Sequence, residues 1–182
     1  MAEITQMLAD ARGGDTNALD RVFEAIYPEL RSIAVARLAG LSAGHTITPT
    51  ALVNETYLKL SQAQKLELVD RRHFYVCASR GMRQILIDHH RASSAQRRGG
   101  VQRQITLTDS FNVSEAPAVD LLDLEAALGD LAEIDRDLHD LVELKFFGGL
   151  SMPELAELMQ RSLRTVNRDW ARARAFLHTQ LA

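Results

Sequence analysis

The chain has 182 residues, 46% of them hydrophobic and 25% charged, with one cysteine and a formal net charge of −3. That fits one medium or two small globular domains and excludes both an intrachain disulfide and a cysteine-based zinc cluster. No apolar run approaches the roughly 20 residues of a membrane span, and the opening MAEITQMLADARGGD has no apolar signal core, so a cytoplasmic protein without a membrane partner is expected.

The hydrophobic period is helical nearly throughout, and no segment alternates as a strand. Ile4, Met7, Leu8 and Ala11 mark a first short helix, stopped by Gly13 and Gly14. Asp15 or Thr16 caps the next, whose stripe is Leu19, Val22, Phe23, Ile26, Leu30, Ile33 and Leu38. Pro28 predicts a kink or break near Tyr27. After a loop over 40–48, Thr48 and Pro49 form a helix start, a capping hydroxyl followed by proline at the first helical position. TALVNETYLKL then turns Leu52, Val53, Tyr57 and Leu60 inward.

Residues 61–71 are polar and read as a loop. A long helix starts near Arg72, with Phe74, Cys77, Ala78, Met82, Ile85, Leu86 and His89 as its stripe, and stops at Gly99 and Gly100. Residues 99–119 lose helical spacing and carry Gly, Thr, Ser, Asn and Pro117, as a flexible linker does. Further helices are expected over about 120–132, 135–147, 151–159 and 163–180. Ser151 with Glu154 forms a capping box, and Ser162 caps the last helix. The expected fold is all-α: two small helical domains, 1–98 and 120–182, joined by a linker over 99–119.

The charge is sorted. From Arg80 to Arg103 there are six arginines against one acid, Asp88; from Asp109 to Glu143, eleven acids against one base, Arg136. Arg161, Arg164, Arg168, Arg172 and Arg174 then fall within fourteen residues, relieved only by Asp169. Two basic patches separated by an acidic stretch suggest two contacts with a polyanion. At about 100° per residue, Val166, Trp170, Ala173 and Leu177 share one stripe of the last helix. Arg164, Arg168, Ala171, Arg172 and Ala175 lie opposite, with Asn167 on the flank. Two short helices with a tight turn and a basic outer face describe a helix-turn-helix. Arg and Asn read base edges in a major groove, and Arg and Thr165 hold phosphates.

Three segments carry a wider resemblance: PTALVNETYLKL, HFYVCASRGMRQILIDHHRASSAQRRGG and LVELKFFGGLSMPELAELMQRSLRTVNRDWARARAFL. In this order, split by a linker, they resemble a bacterial RNA polymerase sigma factor of the extracytoplasmic-function type. The nearest subgroup has HFF, MRRILVDHAR and KRGG in the same places. The resemblance implies that the N-terminal domain binds the clamp of the largest polymerase subunit and opens the downstream promoter element. The C-terminal domain would read the upstream element as duplex and meet the flap of the second-largest subunit.

Carried over residue by residue, the resemblance assigns upstream contacts to Arg164, Thr165, Asn167, Arg168 and Arg172, with Asn167 and Arg168 reading bases. It assigns downstream contacts to Asp70, His73, Tyr75, Arg80, Arg83, Arg91, Arg97 and Arg98. Tyr75 is the stacking candidate there, whereas Phe74 belongs to the core. It places Leu52, Asn54, Glu55 and Tyr57 at the polymerase surface.

Three departures stand out. Gln160 or Arg161 occupies the turn position where glycine is usual, which asks a side-chain residue for a left-handed conformation. Asp70 stands where the subgroup has Asn. The clamp-binding helix carries only Glu55, where relatives carry several acids. The subgroup implies a serine/threonine kinase as a partner, with Thr50, then Thr48, as the phosphorylation site that supplies negative charge at a helix N-terminus. The resemblance also admits an anti-sigma factor.

Other signals carry no chemistry. Cys77 falls on the apolar stripe, so its spacing from His73 suggests no thiol–imidazole pair. His89 and His90 point to different faces, no phosphate loop is present, and the acids have no metal-loop spacing. No cofactor, metal or enzymatic activity is expected. The alternative is a conventional helix-turn-helix regulator that binds DNA alone; a third class is an interaction protein that sequesters a partner.

Overall fold

The computed structural model describes residues 6–7, 17–39, 47–62, 70–96, 104–106 and 118–181. The rest of the expected first helix, its stop at Gly13 and Gly14, the caps Asp15 and Thr16, residues 40–46 of the loop, Arg97, Arg98 and the stop at Gly99 and Gly100 lie outside the described residues.

Helix α1 spans Ala18–Ala39. Val22, Phe23, Ile26, Leu30, Ile33, Ala34 and Leu38 recur at helical spacing and are all buried. Pro28 sits inside α1 on its exposed side, and the helix is nevertheless unbroken. Burial of seven apolar residues outweighs the roughly 3 kcal/mol that an interior proline costs.

Helix α2 spans Pro49–Gln62. Its start is capped as expected, with Thr48 Oγ1 accepting from the Ala51 amide at 3.2 Å. Leu52, Val53, Thr56 and Leu60 are buried. The buried Thr56 hydroxyl donates to the Leu52 carbonyl at 2.7 Å, so no polar atom is left unpaired there. Tyr57 stays at the rim, its hydroxyl donating to Asp20 of α1 at 2.6 Å.

Helix α3 spans Arg71–Gln96. Asp70 caps it by accepting from the His73 amide at 2.7 Å. Phe23 of α1 meets Phe74 of α3 edge-on at 5.7 Å and Tyr57 of α2 at 5.1 Å, tying the three helices together.

Two three-residue strands, β1 (Gln104–Thr106) and β2 (Ala118–Asp120), pair antiparallel with Ile105 opposite Val119. The expectation of a linker without strands is corrected at these positions. β2 runs directly into α4, Leu121–Ile134. Helix α5, Arg136–Val142, is capped by Asp135 and continues as a π-helical turn over Glu143–Phe147. Helices α6 (Met152–Leu158) and α7 (Leu163–Gln180) follow. The observed boundaries of α4 to α7 lie within a few residues of the sequence reading, and the fold is all-α apart from the small ribbon.

Buried side chains of both helix groups form one continuous cluster. Helix α3 joins them, packing on α2 and also on the π turn and α4. Gly148 and Gly149 make this approach possible. A Cβ on Gly148 would lie 2.7 Å from Ser79 Oγ of α3. Gly149 takes φ +68°, and a Cβ there would lie 2.6 Å from the Ile33 side chain of α1. The Arg37 guanidinium of α1 covers the Phe146 ring at 4.7 Å.

Candidate nucleic-acid interface

The local sequence builds α6 and α7 from their caps. Ser151 accepts from the Glu154 amide while Glu154 accepts from the Ser151 amide, the reciprocal capping box. Ser162 Oγ accepts from the Thr165 amide at 3.1 Å and starts α7. Between the helices, the Arg161 amide donates to the Ala156 carbonyl at 2.9 Å. Gln160 takes φ 53°, so the left-handed turn conformation is held by a residue with a side chain.

Val166, Trp170, Ala173 and Leu177 of α7 are buried, together with Asp169. Arg164, Asn167, Arg168, Ala171, Arg172 and Ala175 are exposed, and Thr165 is half-buried with its hydroxyl 2.8 Å from that of Ser162. The structure therefore gathers all five upstream candidates on one helix, on or beside its outward face. Arg168 and Arg172 keep 71% and 59% of their side-chain surface, enough to meet a ligand without repacking.

Asp169 was missed as a site residue. It is 4% exposed and lies at the centre of three arginines. Arg161 Nη1 donates to its carboxylate at 3.1 Å, with Arg168 Nε and Arg172 Nη1 each 3.7 Å away. Its spacing of one and three residues from Arg168 and Arg172 was the available signal. Arg161 also pairs with Asp137, and Arg172 Nη2 lies 3.7 Å from Asp135.

The N-terminal candidates are placed differently. Arg91 is exposed on α3, and His73 is half-buried. Asp70 uses its carboxylate as the α3 cap. Tyr75 is 2% exposed, with the Arg71 guanidinium 5.4 Å from its ring centre, so in this conformation it offers no free face for stacking. Burial pushes its phenol pKa up. Arg80 and Arg83 are engaged by acids of the second helix group: Arg80 Nη2 donates to Asp140 at 2.8 Å and Arg83 Nε to Glu143 at 2.8 Å.

On α2, Asn54, Thr50 and Thr48 are exposed and Tyr57 is half-buried. Glu55 lies 3.4 Å from His89 Nε2. Leu52 is 0% exposed; it serves the core and presents no surface to a partner.

Titration follows from these contacts. Asp137 is held below the usual carboxylate range, chiefly by the hydrogen bond from Arg72 and then by Arg161. Burial opposes ionisation of Asp140, but His139, Arg80 and Arg72 together outweigh it and lower its pKa. Burial likewise opposes charge on His139, yet the Asp140 and Glu143 carboxylates raise its pKa, against the repulsion of Arg80. Burial raises the Cys77 thiol pKa, which keeps it protonated and unreactive. Among the described residues no cluster could hold a metal ion, and no helix is long and apolar enough to cross a membrane.

The arrangement suits a polyanion: acceptor-rich phosphates and base edges meet exposed guanidiniums and one amide on a rod that fits a groove. No curated protein matches the chain. The family model for ECF sigma factors matches residues 1–182, the full length. The chain belongs to the ECF sigma factor family, and its function is that of a sigma factor in transcription initiation.

Proposed function

We propose that this sigma factor reads the upstream promoter element through α6 and α7, acting as a helix-turn-helix with α7 in the major groove. Asn167 and Arg168 contact base edges; Arg164, Thr165 and Arg172 hold phosphates. A good bidentate base contact is worth about 1–3 kcal/mol of discrimination, so two readers support a short recognition element. The observation that carries the reading is the sorting of α7, with Val166, Trp170, Ala173 and Leu177 buried and Arg164, Asn167, Arg168 and Arg172 exposed opposite them.

In the same reading, residues 1–98 form the domain that engages the polymerase clamp and the separated strands of the downstream element. Residues 99–119 link it to a C-terminal domain over 120–182, which also meets the flap. Arg80, Arg83, Arg91, Arg97 and Arg98 contact the strand backbone, Asp70, His73 and Tyr75 lie near the flipped base, and Asn54, Glu55 and Tyr57 meet the clamp. The protein works in the cytoplasm, without a cofactor or an enzymatic step. Thr50 is exposed in the first turn of α2, where an added phosphate of about −1.5 to −2 charge is favoured. A serine/threonine kinase acting there would supply the acid surface that α2 lacks. Thr50→Asp should then bind core polymerase more tightly than wild type or Thr50→Ala; equal binding of all three removes the kinase from the account.

The test of the whole reading is run-off transcription from a genomic library by core polymerase, with and without the protein. New start sites that require the protein, sharing upstream and downstream elements, are the expected result. A protein that binds duplex tightly alone but yields no new start sites would be a conventional regulator instead.

A further inference from the structure

Arg80 and Arg83 lie in the basic run of α3, yet both are occupied from within the chain. Arg80 Nη2 donates to Asp140 at 2.8 Å. Arg83 pairs with Glu125 of α4 and, through Nη2, with Glu143 of the π turn at 2.7 Å. The Arg83 and Glu143 side chains are only 12% and 0% exposed. Arg72 Nη2 reaches Asp137 at 2.7 Å and Asp140 at 3.4 Å, and Arg71 Nη1 reaches Glu157 of α6 at 3.4 Å. Successive turns of α3 thus meet carboxylates from α4, α5, the π turn and α6.

Charge alone does not hold this contact. Gly148 is fitted against Ser79 and Gly149 against Ile33, at spacings that leave no room for a Cβ. The surfaces are shaped for each other. All of these carboxylates except Glu157 come from the acidic stretch between the two basic runs. They present acceptor-only, negatively charged oxygens at successive guanidiniums, which is what a phosphodiester backbone presents.

We infer that the face formed by Glu125, Asp137, Asp140 and Glu143 is a built-in competitor for promoter DNA. It docks on the arginines of α3 in the free protein, and the docked form must open before those arginines reach separated strands. The inference rests on the reading of α3 as a strand-contacting helix. The contact also extends toward α7, because Asp137 is shared between Arg72 and Arg161, and Arg161 also pairs with Asp169. Opening therefore changes the partners of the turn that leads into α7. The apparent affinity of the free protein for single strands is reduced by the fraction of molecules that are open.

The test uses the full chain with Cys77→Ser and dyes on cysteines introduced at the exposed positions Leu58 and Thr179, one in each helix group. Energy transfer and binding of a labelled oligo-dT probe are measured for wild type and for Glu125→Gln/Asp140→Asn. The variant should lose transfer and bind oligo-dT about tenfold more tightly, as expected if the open fraction rises from about a tenth to nearly all. Run-off transcription with core should be unchanged. A charge exchange guards against simple unfolding: Asp140→Arg should lower transfer, and Arg80→Glu added to it should restore transfer. Unchanged transfer and oligo-dT binding in the acid variant, or no restoration by the exchange, overturns the inference while wild type still supports run-off. Absence of run-off with wild type would instead overturn the functional reading, and this inference with it.

Discussion

Asp169 decides how the basic face of α7 is presented. A buried carboxylate accepts a hydrogen bond from Arg161 at 3.1 Å and lies 3.7 Å from both Arg168 and Arg172, near enough to bias where those side chains point. Asp169→Asn removes a negative charge, which favours any DNA, but also frees the arginines, which disfavours one particular DNA. Loss of a charged hydrogen bond of about 1.5–3 kcal/mol should dominate the second effect. The preference for a promoter duplex over a scrambled one should fall roughly tenfold or more, while binding to the scrambled duplex does not weaken. Fluorescence anisotropy on the two duplexes reads this directly.

Gln160 makes a second residue-scale prediction. At φ 53° a side chain costs about 1 kcal/mol or more, and a β-branched one costs most. Denaturant unfolding should rank Gln160→Gly above wild type and wild type above Gln160→Val, with the valine variant down by about 1–2 kcal/mol. The departure from the usual glycine was visible in the sequence, because a tight turn between two capped helices leaves few conformations for that position.

At the scale of elements, α6 and α7 were legible because their signals are local. Ser151, Glu154 and Ser162 fix the starts, and the stripe of Val166, Trp170, Ala173 and Leu177 fixes the buried side. Trp170 anchors that side, and Trp170→Ala should cost about 3–5 kcal/mol of stability in thermal or denaturant melts. The π turn was not legible. It buries both Phe146 and Phe147, the first beneath Arg37 of a distant helix, a contact that local spacing does not show. The ribbon was missed because three residues per strand carry too little alternation. Pro28 was over-read, since its local cost is smaller than the burial around it. Helix α3 showed one stripe in the sequence but buries a second face. Tyr75 and Ser79 lie on that other face, where polar atoms hide the period.

His139 gives the contact between α3 and α5 a pH dependence. It is 4% exposed and faces Asp140, Glu143 and Arg80. Its pKa is raised on folding, so its contribution is fully present below the unfolded value near 6.5 and is lost as pH rises through the folded value. Asp137 and Asp140 are lowered, so their contribution is present above about 3.9 and is lost as pH falls through their folded values. Stability should therefore decline from mildly acidic toward alkaline pH, and His139→Gln should flatten that decline. Urea melts across the range check both.

For the whole molecule, charge sorting has two consequences that the sequence could not separate. Arg164, Arg168 and Arg172 of α7 face outward, whereas Arg72, Arg80 and Arg83 of α3 meet acids that are distant in sequence. A run of charge does not say which opposite run lies against it, so the two basic runs looked equivalent until the helices were placed. This difference predicts different responses to salt. Binding of a duplex upstream probe should weaken steadily as salt rises, by roughly 0.9 log units per log unit of salt for each phosphate contact. Binding of single strands should weaken less steeply, because salt also loosens the internal ion pairs that compete with them.

The most direct measurement is run-off transcription by core polymerase on a cognate promoter, comparing wild type with Arg164→Ala/Arg168→Ala/Arg172→Ala at equal occupancy of core. The triple variant should bind core as wild type does and lose transcription that depends on the upstream element by about a hundredfold, as removal of three charged contacts of about 1 kcal/mol each implies. Unaltered transcription by a folded, core-bound triple variant would contradict the assignment of α7 as the helix that reads the promoter.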